Sequence, residues 1–85
     1  MTGKEITIEL TKGLEARPVA VFVQVASQYD SNITVEYRDK KVNAKSIMGM
    51  MSLGIAQGET VKVTADGADE KEALAGIEKY LSGQE

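Results

Sequence analysis

Residues 33–43 read ITVEYRDKKVN, and the parsing of this stretch decides the fold. Ile33, Val35 and Tyr37 alternate with Thr34 and Glu36, the period-two pattern of a strand with one wet face. Arg38-Asp39-Lys40 interrupts the alternation, and Lys41-Val42-Asn43 resumes it as a short return strand. The stretch therefore predicts an antiparallel hairpin that is buried on one side only. Outward from it, Ile6, Ile8 and Leu10 alternate with Glu5, Thr7 and Glu9, and a further strand carries Val61, Val63 and Ala65.

Four half-buried strands need a cover on one face. Val19, Ala20, Phe22, Val23 and Ala26 fall on one side of a helix from Ala16 to Gln28, and Ala73, Leu74, Ile77, Tyr80 and Leu81 do the same for a C-terminal helix. The second helix opens on Asp69-Glu70, acids at the positive end of its dipole, and Gly83 follows its last turn. Ser46 through Leu53 reads as a short helix ended by Gly54. The order is β-α-β-β-α-β-α. Placing the fourth strand between the first two makes every adjacent pair antiparallel and leaves three helices on one face. The predicted class is α+β, a four-stranded open-faced sandwich.

Length and composition fit one domain spanning 1–85. At this size folding buries about 60–65% of the unfolded chain's surface, so a single core carries the stability. There is no cysteine, which excludes disulfides, thiolate metal sites and thiol nucleophiles. There is no histidine either, which removes the usual general base, the usual metal ligand and every phosphohistidine mechanism. Ten basic residues against thirteen acidic ones give a net charge of −3, and the isoelectric point is near 4.9. The densest basic cluster, Arg38–Lys41, lies in the hairpin turn, so no basic stripe is present for phosphate backbones and no direct nucleic-acid binding is expected. No apolar run approaches 18 residues, so neither a membrane span nor a leader is expected, and the cytoplasm is the expected location. No cofactor or metal is implied.

Two stretches carry chemistry. KGLEARP at 12–18 is a glycine turn opening a helix at Ala-Arg-Pro, a geometry suited to an anion, yet Glu15 at its mouth is itself an acid. The second, KSIMGMMSLG at 45–54, places Ser46 where a hydroxyl caps a helix N-terminus. Ile47, Met48, Met50, Met51 and Leu53 are too many apolar side chains for one short helix to bury, so some are expected outside, and methionine suits adaptable binding surfaces. A phosphate on Ser46 would meet the helix dipole favourably by about 0.3–1 kcal/mol. It would set a dianion beside an apolar patch, with Lys45 adjacent.

GLEARPVAVFVQVA at 13–26, KKVNAKSIMGMMSLG at 40–54 and the weaker GxxEKEAL at 67–74 together resemble the HPr family, the phosphocarriers of the bacterial sugar phosphotransferase system. The resemblance spans essentially the whole chain and implies the sandwich derived above. Family members carry the phosphoryl-accepting histidine where this chain has Glu15, while Arg17, which helps to hold the phosphohistidine, and Leu14 and Pro18 are retained. The resemblance is therefore to the catabolite-repression branch of the family, whose members have lost that histidine.

It implies a regulatory protein rather than an enzyme, phosphorylated on Ser46 by the ATP-dependent HPr kinase/phosphorylase. The phosphoprotein would then act as corepressor by binding the LacI-type catabolite control protein. By matching position, Arg17 and Lys45 would lie near the phosphate and the repressor, Ile47, Met48 and Met51 would form the apolar contact, and Leu14 would join the same patch. Glu15, Arg17 and Pro18 would remain as a degenerate phosphocarrier site. Glu15 either imitates the charge of a phosphohistidine or is simply an acid near a helix start. A second function stays open: an unphosphorylated effector that binds a metabolic enzyme through Leu14, Ile47 and Met48. Exchange of the first strand between two copies is also compatible with the pattern.

Overall fold

A computed structural model of the chain describes residues 1–9 and 16–83. The elements run β1 (Thr2–Thr7), α1 (Ala16–Ser27), β2 (Asn32–Tyr37), β3 (Lys40–Asn43), α2 (Ile47–Met51), β4 (Thr60–Asp66) and α3 (Glu70–Leu81). The strands form one sheet in the order β1-β4-β2-β3, with every neighbouring pair antiparallel. Strand β4 thus lies between β1 and β2, as the sequence predicts.

Register sorts the two faces. Glu5 pairs with Lys62, Lys62 with Glu36, and Glu36 with Lys41, so one row of alternating charge crosses all four strands on the open face. Opposite charges directly across strands stabilise a pairing and like charges oppose it, so a one-residue slip would cost both this row and the buried one. Beside it, Thr7 and Thr60 share a hydroxyl–hydroxyl hydrogen bond of 3.1 Å. The other face holds Ile6, Val61, Val63, Val35, Ile33 and Ala65, all buried. The helices close that face: α3 packs on β1 and β4, α1 on α3 and α2, and α2 on β3. Phe22 of α1 stacks on Tyr80 of α3 at 6.5 Å between ring centres, and the Tyr80 hydroxyl donates to the Pro18 carbonyl at 3.0 Å.

The first strand is displaced toward the N-terminus from the Ile6–Leu10 expectation. Ile6 and Ile8 are both buried, but Ile8 lies past the ladder. Its N–H donates to the Glu59 carbonyl and its carbonyl accepts from Gly58, both at 2.8 Å, while the Glu9 N–H donates to Leu81. Loop contacts thus continue the alternation of burial after the strand has ended. Upstream, Thr2–Glu5 have no apolar alternation and are strand because β4 pairs with them. Leu10 lies outside the described residues.

Asp69 and Glu70 stand at the start of α3 as expected, but Asp69 has a further task that the sequence did not disclose. It precedes α3 but makes no side-chain cap. Its carboxylate instead accepts from the Asp30 N–H at 2.9 Å, the Ser31 N–H at 3.0 Å and the Ser31 hydroxyl. The acid ties the turn after α1 to the start of α3, and Ser31 is buried beneath it. A Cβ on Gly67 would fall 2.6 Å from the Ser31 hydroxyl oxygen, so only glycine allows this close approach.

Candidate functional site

The return strand β3 runs into α2 through Ala44, Lys45 and Ser46. Ala44 is fully buried and its N–H donates to the Ile33 carbonyl at 2.9 Å, extending the sheet by one bond. The Asn43 side-chain oxygen accepts from the Lys45 N–H at 2.8 Å and the Asn43 carbonyl from the Ser46 N–H at 3.0 Å, folding the chain into a tight turn. Ser46 then adopts an extended conformation (φ −105°, ψ 113°) as the N-cap of α2. Its Oγ accepts from the Gly49 N–H at 3.1 Å, and its carbonyl accepts from Met50 at 3.0 Å. A Cβ on Gly49 would press on Ser46 Oγ at 3.2 Å and on Val42 at 3.3 Å, so glycine here lets the cap close and seats α2 against β3.

Ser46 is half-buried. Beside it the apolar side chains divide as the width of the stripe demands. Met50 and Leu53 are buried, while Ile47, Met48 and Met51 are 47%, 84% and 48% exposed. Met48 and Met51, three apart, are neighbours on one side of the helix. Residues 46–58 contain no Lys, Arg, Asp or Glu, so the patch is neutral as well as apolar. Any charge placed on Ser46 would be the first in that segment.

Lys45 precedes the cap, but its ammonium donates to the Tyr29 carbonyl at 2.7 Å, just past the end of α1, where the dipole favours a cation. Adjacency in sequence did not reveal that engagement. Pro18 is half-buried in the first turn of α1. Leu14 and Glu15 lie outside the described residues, and of Arg17 only its place in α1 is described. The degenerate phosphocarrier site is therefore represented by Pro18 alone.

A second polar cluster closes the loop that follows α2, and sequence reasoning missed it. The Glu59 carboxylate accepts from the Tyr37 hydroxyl, from the Ala56 N–H at 2.8 Å and from Arg38 Nη2 at 3.3 Å. The tyrosine hydrogen bond first, then the Ala56 N–H, holds the Glu59 carboxyl below the ordinary range, and the same bond raises Tyr37. Arg38 sits 5.1 Å over the Tyr37 ring and takes a left-handed backbone (φ 58°) in the two-residue hairpin turn. A depression on the open sheet face, lined by Glu5, Glu36, Arg38, Thr60 and Lys62, mixes both signs of charge and lies away from α2. Among the described residues no cluster of metal-ligating side chains occurs, and no helix is long and apolar enough to cross a membrane.

The family model described as "PTS HPr component phosphorylation site" matches residues 2–82, and the chain belongs to the HPr family. Within that family it is Crh-like. The HPr-like protein Crh of Halalkalibacterium halodurans is 46% identical over 81 residues, which cover 95% of this chain and 96% of that one. Among solved structures, HPr-C-His from Thermoanaerobacter tengcongensis superposes with a TM-score of 0.93 at 50% identity, covering 99% of this chain and 94% of the other. The crystal structure of Bacillus subtilis Crh gives 0.80 at 44% identity, covering 100% and 98%.

Proposed function

We propose that this chain is a regulatory binding protein, neither enzyme nor phosphocarrier, whose signal is a phosphoryl group on Ser46. The observation that carries the reading is the position of Ser46, half-buried as the N-cap of α2, at the edge of a neutral apolar face made by Ile47, Met48 and Met51. With no histidine in the chain, no imidazole can relay phosphate, and by family resemblance Glu15 stands at the vacated position. HPr kinase/phosphorylase is the modifying enzyme in this reading, and the LacI-type catabolite control protein is the partner. Phosphorylation adds close to two negative charges and three acceptor oxygens, while the apolar face supplies contact area. The setting is carbon catabolite repression in the cytoplasm, with transcription controlled through the repressor and without direct contact to DNA.

Lys45 has two available acceptors in this reading, the Tyr29 carbonyl it holds now and the new phosphate. Incubation with HPr kinase/phosphorylase and ATP is expected to place one phosphate on the chain, mapped to Ser46 and absent from Ser46→Ala. Phosphoenolpyruvate with the general phosphotransferase enzyme is expected to place none. Phosphate on any other residue from either donor contradicts the reading.

A second reading is favoured by one observation: the apolar face is already exposed with Ser46 unmodified. The unphosphorylated protein would then bind a metabolic enzyme directly, and phosphorylation would break the complex. A pull-down comparing the two Ser46 forms separates the readings by which form retains the enzyme. Bacillus subtilis Crh is described as a swapped dimer, and the same exchange is open to this chain, because β1 pairs with β4 alone. Light scattering that gives twice the 9.2 kDa chain mass would support it.

A further inference from the structure

The four methionines divide sharply. Met48 is 84% exposed, Met51 48% and Met50 0%, all within one short helix. Met1, 81% exposed, lies on β1's side of the sheet, at the opposite edge from β3, on which α2 packs. There is no cysteine. Thiolates ordinarily react first with peroxides, and in their absence the thioethers are the sulfurs open to a two-electron oxidant. Thioether oxidation needs no prior ionisation, so exposure sets the order of attack.

We propose that Met48, with Met51 following it, is a peroxide-sensitive modification site whose conversion to the sulfoxide takes away most of the apolar face beside Ser46, leaving Ile47 alone. The oxidant is hydrogen peroxide or an alkyl hydroperoxide. A lone pair on Sδ attacks one peroxide oxygen, the S–O bond forms as the O–O bond breaks, and the departing hydroxide or alkoxide takes the proton from the transferred oxygen. Sulfur loses two electrons, and the peroxide gains two and leaves as water or alcohol. The product is polar and chiral where the thioether was flexible and apolar.

Position makes the change a surface event. Met48 lies outside the core, so its sulfoxide alters the face and leaves the fold intact. The same chemistry on Met50 would set a polar group at a fully buried point. Residues 46–58 carry no charge of their own, so the face depends on those side chains for whatever it binds. Phosphate at Ser46 adds charge and the sulfoxide subtracts apolar area, giving two independent inputs to one surface. The identity of the docked partner rests on the function proposed above, but the chemistry and the loss of apolar surface do not.

The test treats the full chain with hydrogen peroxide, maps the oxidised peptides by mass over time, and follows retention on a hydrophobic-interaction column. Met48 is expected to oxidise at least about tenfold faster than Met50, and retention should fall as Met48 and Met51 convert, with the thermal midpoint unchanged. Met1→Leu should lose retention on oxidation like the wild type, whereas Met48→Leu should keep most of it. The two thiol-dependent methionine sulfoxide reductases together, one for each sulfoxide epimer, should restore the wild-type retention. Oxidation of Met48 no faster than of Met50, or unchanged retention once Met48 is converted, would overturn the proposal. Both readouts work without a partner, so failure of the unoxidised phosphoprotein to bind the repressor would count against the proposed function alone. Undiminished binding after conversion of Met48 would count against this inference alone.

Discussion

At Ser46 one oxygen has two tasks. It caps α2 by accepting from Gly49, and in the proposed function it receives phosphate. Ser46→Ala is expected to lower unfolding stability by about 1 kcal/mol through the lost cap, read by denaturant titration, so any functional defect must be separated from that loss with Ser46→Thr, which keeps a hydroxyl. Asp69 shows how far a single side chain can act from its place in sequence. It stands at the start of a helix, yet its oxygens are spent on Asp30 and Ser31, nearly forty residues earlier in the chain. The Ser31 hydroxyl, then the Asp30 N–H, pulls the Asp69 carboxyl below its ordinary range. Asp69→Ala is expected to destabilise the protein more than Ser46→Ala, because the buried Ser31 hydroxyl would be left without its acceptor. Thermal unfolding of the two variants side by side checks the order.

At the level of elements, helix α2 separates packing from surface within five residues. Met50→Ala should cost about 2–5 kcal/mol, the range for truncating a fully buried methionine, whereas Met48→Ala should stay within about 0.5 kcal/mol. Equal effects in denaturant titrations would contradict the assigned faces. The sequence pattern revealed that α2 has more apolar side chains than it can bury, because a one-sided helix holds only a limited stripe; Ile47, Met48 and Met51 are the ones left out. The hairpin and the three covering helices were legible for the same reason, since burial on one face imposes a period, and the position of β4 followed from requiring every neighbouring pair to be antiparallel. The extent of β1 was not. Thr2–Glu5 are strand only because β4 supplies partners, while Ile8 keeps the pattern through loop bonds after the ladder has ended. Lys4 falls on the helix-covered side of the sheet, where its amine meets Glu78 of α3 at 2.7 Å. An inward-directed charge of this kind guards an edge strand against pairing with another chain. The ties made by Asp69, Glu59 and Lys45 join residues distant in sequence, and no periodicity reports such contacts.

At the scale of the whole molecule, three carboxylates among the described residues are held below their ordinary range by hydrogen bonds in the folded state: Glu59 by Tyr37 and Ala56, Asp69 by Ser31 and Asp30, and Glu70 by the Gly67 N–H and the terminal amine. A carboxylate with a lowered folded pKa binds its proton more readily in the unfolded chain. The stabilisation is therefore complete above the unfolded values, near 4, and is lost as pH falls through the folded ones. The thermal midpoint should drop as pH falls below about 4, and the Glu59→Gln, Asp69→Asn double variant should show a shallower dependence at a lower starting stability. An equal slope in both proteins would contradict these assignments. The sandwich itself serves to hold α2 at one edge, with Met50 anchored in the core and Met48 standing out beside Ser46. Titration of the catabolite control protein with the Ser46-phosphorylated chain, the unmodified chain and phosphorylated Met48→Glu tests this claim most directly. The account predicts tight binding by the first, with binding at least about tenfold weaker for each of the other two; equal binding by the phosphorylated and unmodified chains would contradict it.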